Sequence, residues 1–431
     1  MPTATRKPRE PALRERLPQH WVWPDYQGGS LVNLPATVGQ LLGVDAPWRS
    51  PPLTLSAPAG GVKHVVLLLV DGVGYRKLNE LLVSTDSGLR ELLGRYGALP
   101  GGALPPPITS VSPSTTTAAT TVLQADGSAP GGLGIVGFTQ RLPRLGVVAN
   151  MLLFQPANDL RAHVGDLERW GVTPEGMRGA PSIYQLLSAA GVRGHAFAPA
   201  NIFRNPLSRL QFEGAEVHGY VDWVDMLTLL GRHLDQVAGT PGFTYAYMPD
   251  FDSLLHRDGE SSPSVPRLFE AFVPQLRRLL DGLTPAARDG TLFLVTADHG
   301  HISTPAAERR YLDDYPELLR LMATSEGGEP RHAFLYGTPG RVAELSAAAE
   351  ALLGDAFEIV SGAAALAAGL YGEPASLHPE ADRRVGDVVL LARGNASLWP
   401  SRQQARLLGM HGSLEPEEML VPLLALRADH Q

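Results

Sequence analysis

The sequence predicts an α/β protein, with a mostly parallel central sheet covered by helices on both faces and a small α+β subdomain inserted late in the chain. Three observations lead there. Short, almost wholly apolar runs such as HVVLLLV at 64–70, GFTYAYM at 242–248 and GTLFLVT at 290–296 have the length of strands and lack the alternation of a half-exposed sheet. Segments of helical periodicity separate them, which gives the β–α rhythm of a parallel sheet. At 431 residues, 44% hydrophobic and 19% charged, the chain has the length and apolar content for a large core.

The elements follow in chain order. The first 30 residues mix both charges with proline and are expected as an exposed arm, ahead of one large domain over 31–431. A strand at 64–70 leads into a helix from about Lys77 to Arg95, and a second helix starts in the threonine cluster near Thr115. A helix is expected at 181–191 (PSIYQLLSAAG), strands at 192–199 (VRGHAFAP) and 242–248, a helix from about Ser264 to Leu283, and a strand at 290–296. After Gly328 the pieces shorten: 332–337, a helix at 341–354, then 357–362, 364–372 and 385–394. They are expected to form the inserted subdomain, at about 328–400.

Composition excludes several classes. Lys and Arg number 36 against 44 Asp and Glu, and a net charge of −8 disfavours a nucleic-acid polymer as partner. With no cysteine, disulfides, thiolate metal sites and cysteine nucleophiles are ruled out, so any metal must be held by nitrogen and oxygen. The longest apolar run, Val65–Val70, is far short of the ~18–20 residues that cross a bilayer, and the first residues carry no apolar signal region. A cytoplasmic protein without membrane attachment is expected.

Open parallel sheets carry ligands at the carboxyl ends of their strands. Three acidic segments fall there: Asp71 after the first strand, Asp250 and Asp252 after GFTYAYM, and Asp298-His299-Gly300-His301 after GTLFLVT. Asp71 alone is read equally well as a turn cap. Asp252 and His256 stand four residues apart, a spacing that puts both on one face of a helical turn, within reach of one ion. His301 is expected to be structural or at the rim. In Pro113-Ser114-Thr115-Thr116-Thr117-Ala118-Ala119-Thr120-Thr121, one hydroxyl suits an N-cap, and a hydroxyl at a helix N-terminus sits where free amides favour an anion. His411 lies in a glycine-flanked loop late in the chain.

Taken in order, LLLVDGVG, PSTTTAATTVL, YMPDFDSLLHRDG, LFLVTADHGH and GMHGSLEPEEMLVP resemble the alkaline phosphatase superfamily, specifically its nucleotide pyrophosphatase/phosphodiesterase-like members. The resemblance implies a three-layer α/β/α fold and two divalent ions, usually zinc, with manganese or iron compatible with the same donors. Carried over, Asp71, Thr116, Asp298 and His299 surround one ion, and Asp252, His256 and His411 the other. Thr116 is then the nucleophile, with Thr115 the runner-up and Thr117 adjacent.

The implied reaction is in-line attack of Thr116 on phosphorus, giving a phospho-threonine that water hydrolyses. The implied substrate is a small phosphodiester or pyrophosphate, such as a nucleoside 5′-phosphodiester. A phosphomonoesterase or phosphonate hydrolase on the same frame, or a non-catalytic binding protein of that fold, are the alternatives. A sulfatase is disfavoured, because Val111 stands where that branch carries the residue it converts. Relatives commonly have Thr-Gly and then His-Gly-Ile after the nucleophile helix; here stand Ala125-Asp126 and Leu133-Gly134-Ile135, which bear on the substrate rim. Tyr247, Trp399 and Arg402 receive no role.

Overall fold

Alternate side chains of the first strand enter two different cores, and this makes the protein three-layered. The computed structural model describes residues 13–429, apart from 56–59, 98, 158 and 160. The central sheet has six strands: β1 (His64–Val70), β2 (Arg193–Pro199), β3 (Glu216–Tyr220), β4 (Gly242–Met248), β5 (Thr291–Thr296) and β6 (Leu423–Arg427), in spatial order β6-β5-β1-β4-β2-β3. All pairings are parallel except β5 with the edge strand β6.

The helices are α1 (Leu34–Leu41), α2 (Tyr75–Ser84), α3 (Leu89–Tyr96), α4 (Thr116–Leu123), α5 (Ile183–Ala189), α6 (Trp223–Gln236), α7 (Asp250–Asp258) and α8 (Ser264–Gly282). Val66, Leu68 and Val70 pack with Leu81 of α2, Leu92 of α3, Leu230 of α6 and Phe272 of α8. Val65, Leu67 and Leu69 meet Val38 of α1, Val122 of α4 and Ile183 of α5. Each such fully buried side chain contributes roughly 1.5–3 kcal/mol, and β1 is buried throughout, as a strand covered on both faces must be.

Three expectations are corrected. The helix expected over Lys77–Arg95 is two, α2 and α3. Thr85 is extended and Gly88 adopts φ +75°, because Thr, Asp and Ser bond back to the local backbone and favour helix ends over helix interiors. The residues before 31 are not an exposed arm from Leu13 onward: Leu17 is buried in a core with Phe334 and Tyr371, and the Trp21 indole donates to Glu415 Oε1 at 3.0 Å. Residues 1–12 lie outside the described residues.

The third correction concerns the late segment. A second sheet of seven strands, all antiparallel, runs Phe357–Ser361, Val388–Ala392, His332–Leu335, Gly327–Glu329, Thr139–Leu142, Val147–Asn150 and Gln155–Pro156. Its last three strands precede β2 in the chain, so 328–400 does not complete a sheet alone. The strands at 139–156 were hidden because they are short and carry polar residues such as Gln140, which is itself buried. Among the described residues, no helix is long and apolar enough to cross a membrane.

Candidate active site

β1 lies between β4 and β5, so the residues that leave the carboxyl ends of these three strands emerge side by side. Asp71 follows β1, α7 starts at Asp250 just after β4, and Asp298 follows β5. The turns after β1 and β5 are close-packed. Gly72 adopts φ +76° and donates its amide to Asp298 Oδ1 at 3.1 Å, and a Cβ there would stand 2.7 Å from His301 Cε1. At Gly300 a Cβ would overlap the Glu417 carbonyl. Glycine is required at Gly72 by space and torsion, and at Gly300 by space.

The threonine cluster resolves into roles. Thr115 is the extended N-cap of α4 and is buried, as is Thr117, whereas Thr116, the first helical residue, keeps partial exposure. Thr116 Oγ1 lies 3.1 Å from His299 Nε2. The hydroxyls of Thr120 and Thr121 bond back to carbonyls four residues earlier in the helix.

Four histidines share one orientation. The Nδ1 atoms of His256, His299, His301 and His411 face the carbonyls of Gly409 (2.7 Å), Gly300 (3.1 Å), Gly72 (3.3 Å) and Ser114 (2.8 Å). A proton on each Nδ1 leaves each Nε2 as a lone pair, the second-sphere arrangement of metal-binding imidazoles. His256 Nε2 lies 3.3 Å from Asp252 Oδ1, as the four-residue spacing on α7 dictates, and His301 Nε2 lies 3.1 Å from the same oxygen. The His299 and His411 rings stack with centroids 3.6 Å apart.

Among the described residues, one ligand atom from each of Asp71, Asp298 and His299 falls within 4.8 Å of the others, and the same holds for Asp252, His299, His301 and His411. His256 lies outside that second group but abuts it through Asp252. The buried Asp71 Oδ1, Asp252 Oδ1, Asp298 Oδ2 and His301 Nε2 have no hydrogen-bond partner. Buried polar atoms left this way are costly, and orphaned carboxylate oxygens beside an orphaned imidazole nitrogen fit divalent cations.

The electrostatics agree. Burial, then the charges of Asp298 and Asp252, push the Asp71 carboxyl well up. Burial also raises Asp252, but His256, His301 and His299 outweigh it and hold that carboxyl below its usual range. His411 is pushed well down by burial and by the three other imidazoles, and burial lowers His256 and His299. The surroundings therefore disfavour charge on His256, His299 and His411 and on the Asp71 carboxyl, a penalty on ionised Asp71 that cations would relieve.

All seven residues expected at the site are brought together. His301, expected as structural or rim, is within the cluster with its side chain 1% exposed. The available signal was its spacing from His299, since residues two apart on extended chain project to one side. Pairing of Ile302–Ser303 with Gly409–Met410 then sets His301 beside His411. Tyr247 also belongs here, donating its hydroxyl to Asp71 Oδ2. Trp399 is buried and donates to Ser397 Oγ, while Arg402 forms a surface pair with Asp314.

This fold, with carboxylates, imidazoles and a helix-terminal threonine at the carboxyl end of a parallel sheet, is that of an alkaline phosphatase-like hydrolase. The chain belongs to the type I phosphodiesterase / nucleotide pyrophosphatase family, whose sequence model matches residues 65–414. That membership makes it a phosphoric ester hydrolase of a metal-dependent family.

Solved structures of the same fold include murine ectonucleotide pyrophosphatase / phosphodiesterase 5, at 17% identity and TM-score 0.60, covering 84% of this chain and 87% of that one. The human protein of the same name gives 15% identity, TM-score 0.60 and the same coverage. Phosphonoacetate hydrolase from Sinorhizobium meliloti 1021, in complex with phosphonoformate, gives 19% identity and TM-score 0.59 over 84% of this chain and 89% of that one. A search of curated protein sequences returns no match.

Proposed function

We propose that the protein hydrolyses phosphodiester or pyrophosphate bonds of small substrates through a phospho-threonine on Thr116. One observation carries the reading: a partly exposed hydroxyl on the first residue of α4 lies 3.1 Å from His299 Nε2, beside a cluster of orphaned ligand atoms. Asp71, Thr116, Asp298 and His299 would hold one divalent ion, and Asp252, His256 and His411 a second, with His301 beside it; zinc suits these donors best. Two such ions would supply charge neutralisation at a bound phosphoryl group and would favour ionisation of the Thr116 hydroxyl.

The chain's own residues do the rest. Thr116 Oγ1 would release its proton to solvent and bond to phosphorus as the ester oxygen departs and takes a proton from solvent; a water oxygen would then bond to phosphorus as the Thr116 Oγ1–phosphorus bond breaks, and one proton of that water would return to Oγ1. The amides of the first turn of α4, which the Thr115 side chain does not cap, would be available to phosphoryl oxygens. The murine relative has also been solved as an inactive threonine-to-alanine variant in complex with AMP, which supports a nucleotide-type substrate here.

The test is the rate on bis(p-nitrophenyl) phosphate against p-nitrophenyl phosphate in one zinc-loaded preparation. A diester preference of about tenfold or more is expected. A monoester preference would overturn the diester assignment and move the protein to the phosphatase reading.

A further inference from the structure

At the opposite end of the same sheet, four imidazoles converge on one face. His64 opens β1, His195 and His218 are the third residues of β2 and β3, and His233 comes from the last turn of α6, the helix that covers this face. Asp71 directly follows β1, seven residues on from His64 and roughly 23 Å away at about 3.3 Å per residue. This group shares no residue with the candidate active site.

The geometry is that of a ligand set. One ring nitrogen from each of His195, His218 and His233 falls within 4.8 Å of the others. His195 Nδ1 and His218 Nε2 are 3.3 Å apart. Two nitrogens bound at about 2.0–2.1 Å to one tetrahedral ion stand ~3.4 Å apart, so this pair needs almost no movement to share one. Glu216, next to His195 in the register and 70% exposed, reaches His195 Nδ1 at 3.6 Å and His218 Nε2 at 3.9 Å. Its exposed carboxylate is within reach of both nitrogens and is the candidate fourth ligand.

Protonation favours the same reading. Burial and repulsion from the neighbouring imidazoles push His233 down to about 3, burial and His195 push His64 to about 4, and burial lowers His195 and His218. All four are neutral near pH 7, with lone pairs available. Of the charged side chains acting on His195, Glu216 attracts a cation and Arg193 repels one. His64 is tied to the group through Thr244 Oγ1, at 2.8 Å, which also lies 3.4 Å from His233 Nε2. It steadies the third ligand.

We propose that His195, His218 and His233, completed by Glu216, form a further divalent-metal site, selective for an imidazole-preferring ion such as Zn2+ or Co2+, which clips β2, β3 and α6 together. The site does not depend on the hydrolytic reading, since it lies at the other end of the strands.

The test is metal stoichiometry and the Co2+ visible spectrum of the full-length protein, stripped with chelator and reloaded, compared with His218→Ala and Glu216→Gln. His218 is the least buried of the three ligands, so its removal spares the core. Wild type is expected to bind one equivalent more than His218→Ala and to show an additional Co2+ absorption that the variant lacks. Glu216→Gln should keep the equivalent but bind it about tenfold more weakly. Hydrolysis of bis(p-nitrophenyl) phosphate should be unchanged in both. Equal stoichiometry and identical Co2+ spectra in wild type and both variants would overturn the proposal, and if His218→Ala does not fold, loss of affinity in Glu216→Gln decides it.

Discussion

The Tyr247 hydroxyl donates to Asp71 Oδ2 at 2.5 Å, which leaves Asp71 Oδ1 as the oxygen without a partner. Tyr247 is the penultimate residue of β4, directly across from Leu69 in the register. One hydrogen bond thus decides which carboxylate oxygen faces the cluster. Tyr247→Phe keeps the ring and removes the donor, and should lower metal affinity and activity together by about 10- to 100-fold, as measured by zinc titration and diester hydrolysis.

Thr116→Ala should abolish turnover while most bound metal remains, because carboxylates and imidazoles supply the other ligands. Thr116→Ser retains the hydroxyl and should retain measurable activity. Full activity in Thr116→Ala with loss in Thr115→Ala would shift the nucleophile by one residue, against the burial of Thr115.

Prolonged chelation should inactivate the enzyme, and zinc should restore it. The stripped protein should also melt at lower temperature, because the ions stabilise the folded chain and not the unfolded one. A chelated sample shown to be metal-free yet fully active would contradict this.

Arg331 and Glu418 are both fully buried and form a bidentate pair, with Nε–Oε1 2.7 Å and Nη2–Oε2 2.8 Å, while the Ser413 amide also donates to Glu418 Oε1. The pair ties the second sheet to the loop carrying His411. Arg331→Met strands the carboxylate and should cost about 3–5 kcal/mol in urea unfolding. Pairing it with Glu418→Leu should recover much of that loss in stability.

His332, fully buried, donates from Nδ1 to the Gly412 carbonyl and accepts from the Tyr371 hydroxyl. Burial pushes it from 6.5 down to about 3. The native state therefore binds fewer protons than the unfolded chain between these values, so its contribution is complete above pH 6.5 and is lost as pH falls toward 3. The stability gap between wild type and His332→Gln should narrow on acidification; a gap that stays constant below pH 6.5 would refute this.

The sheet was legible because apolar runs such as VVLLLV have one physical use at that length, and the aspartates that follow them are where parallel sheets put chemistry. The spacing of Asp252 and His256 survived for a similarly local reason. What stayed hidden depends on distant partners. His301 joins the cluster only because Gly409–Met410 pairs beside it, and the early strands at 139–156 find their place only against Gly327–Glu329. The edge strand Glu216–Tyr220 carries polar and glycine residues, so no apolar run announced it.

The His411 imidazole leans on the carbonyl of Ser114, two residues before Thr116 and 297 positions away along the chain. Contacts of such separation form late in folding, after the entropy of closing long loops has been met. During synthesis, a ribosome-bound chain that has exposed Thr116, Asp252 and His299 already carries Ser114 but still lacks His411. With His411 assigned as proposed, the full ligand set exists only once residue 411 has folded against Ser114.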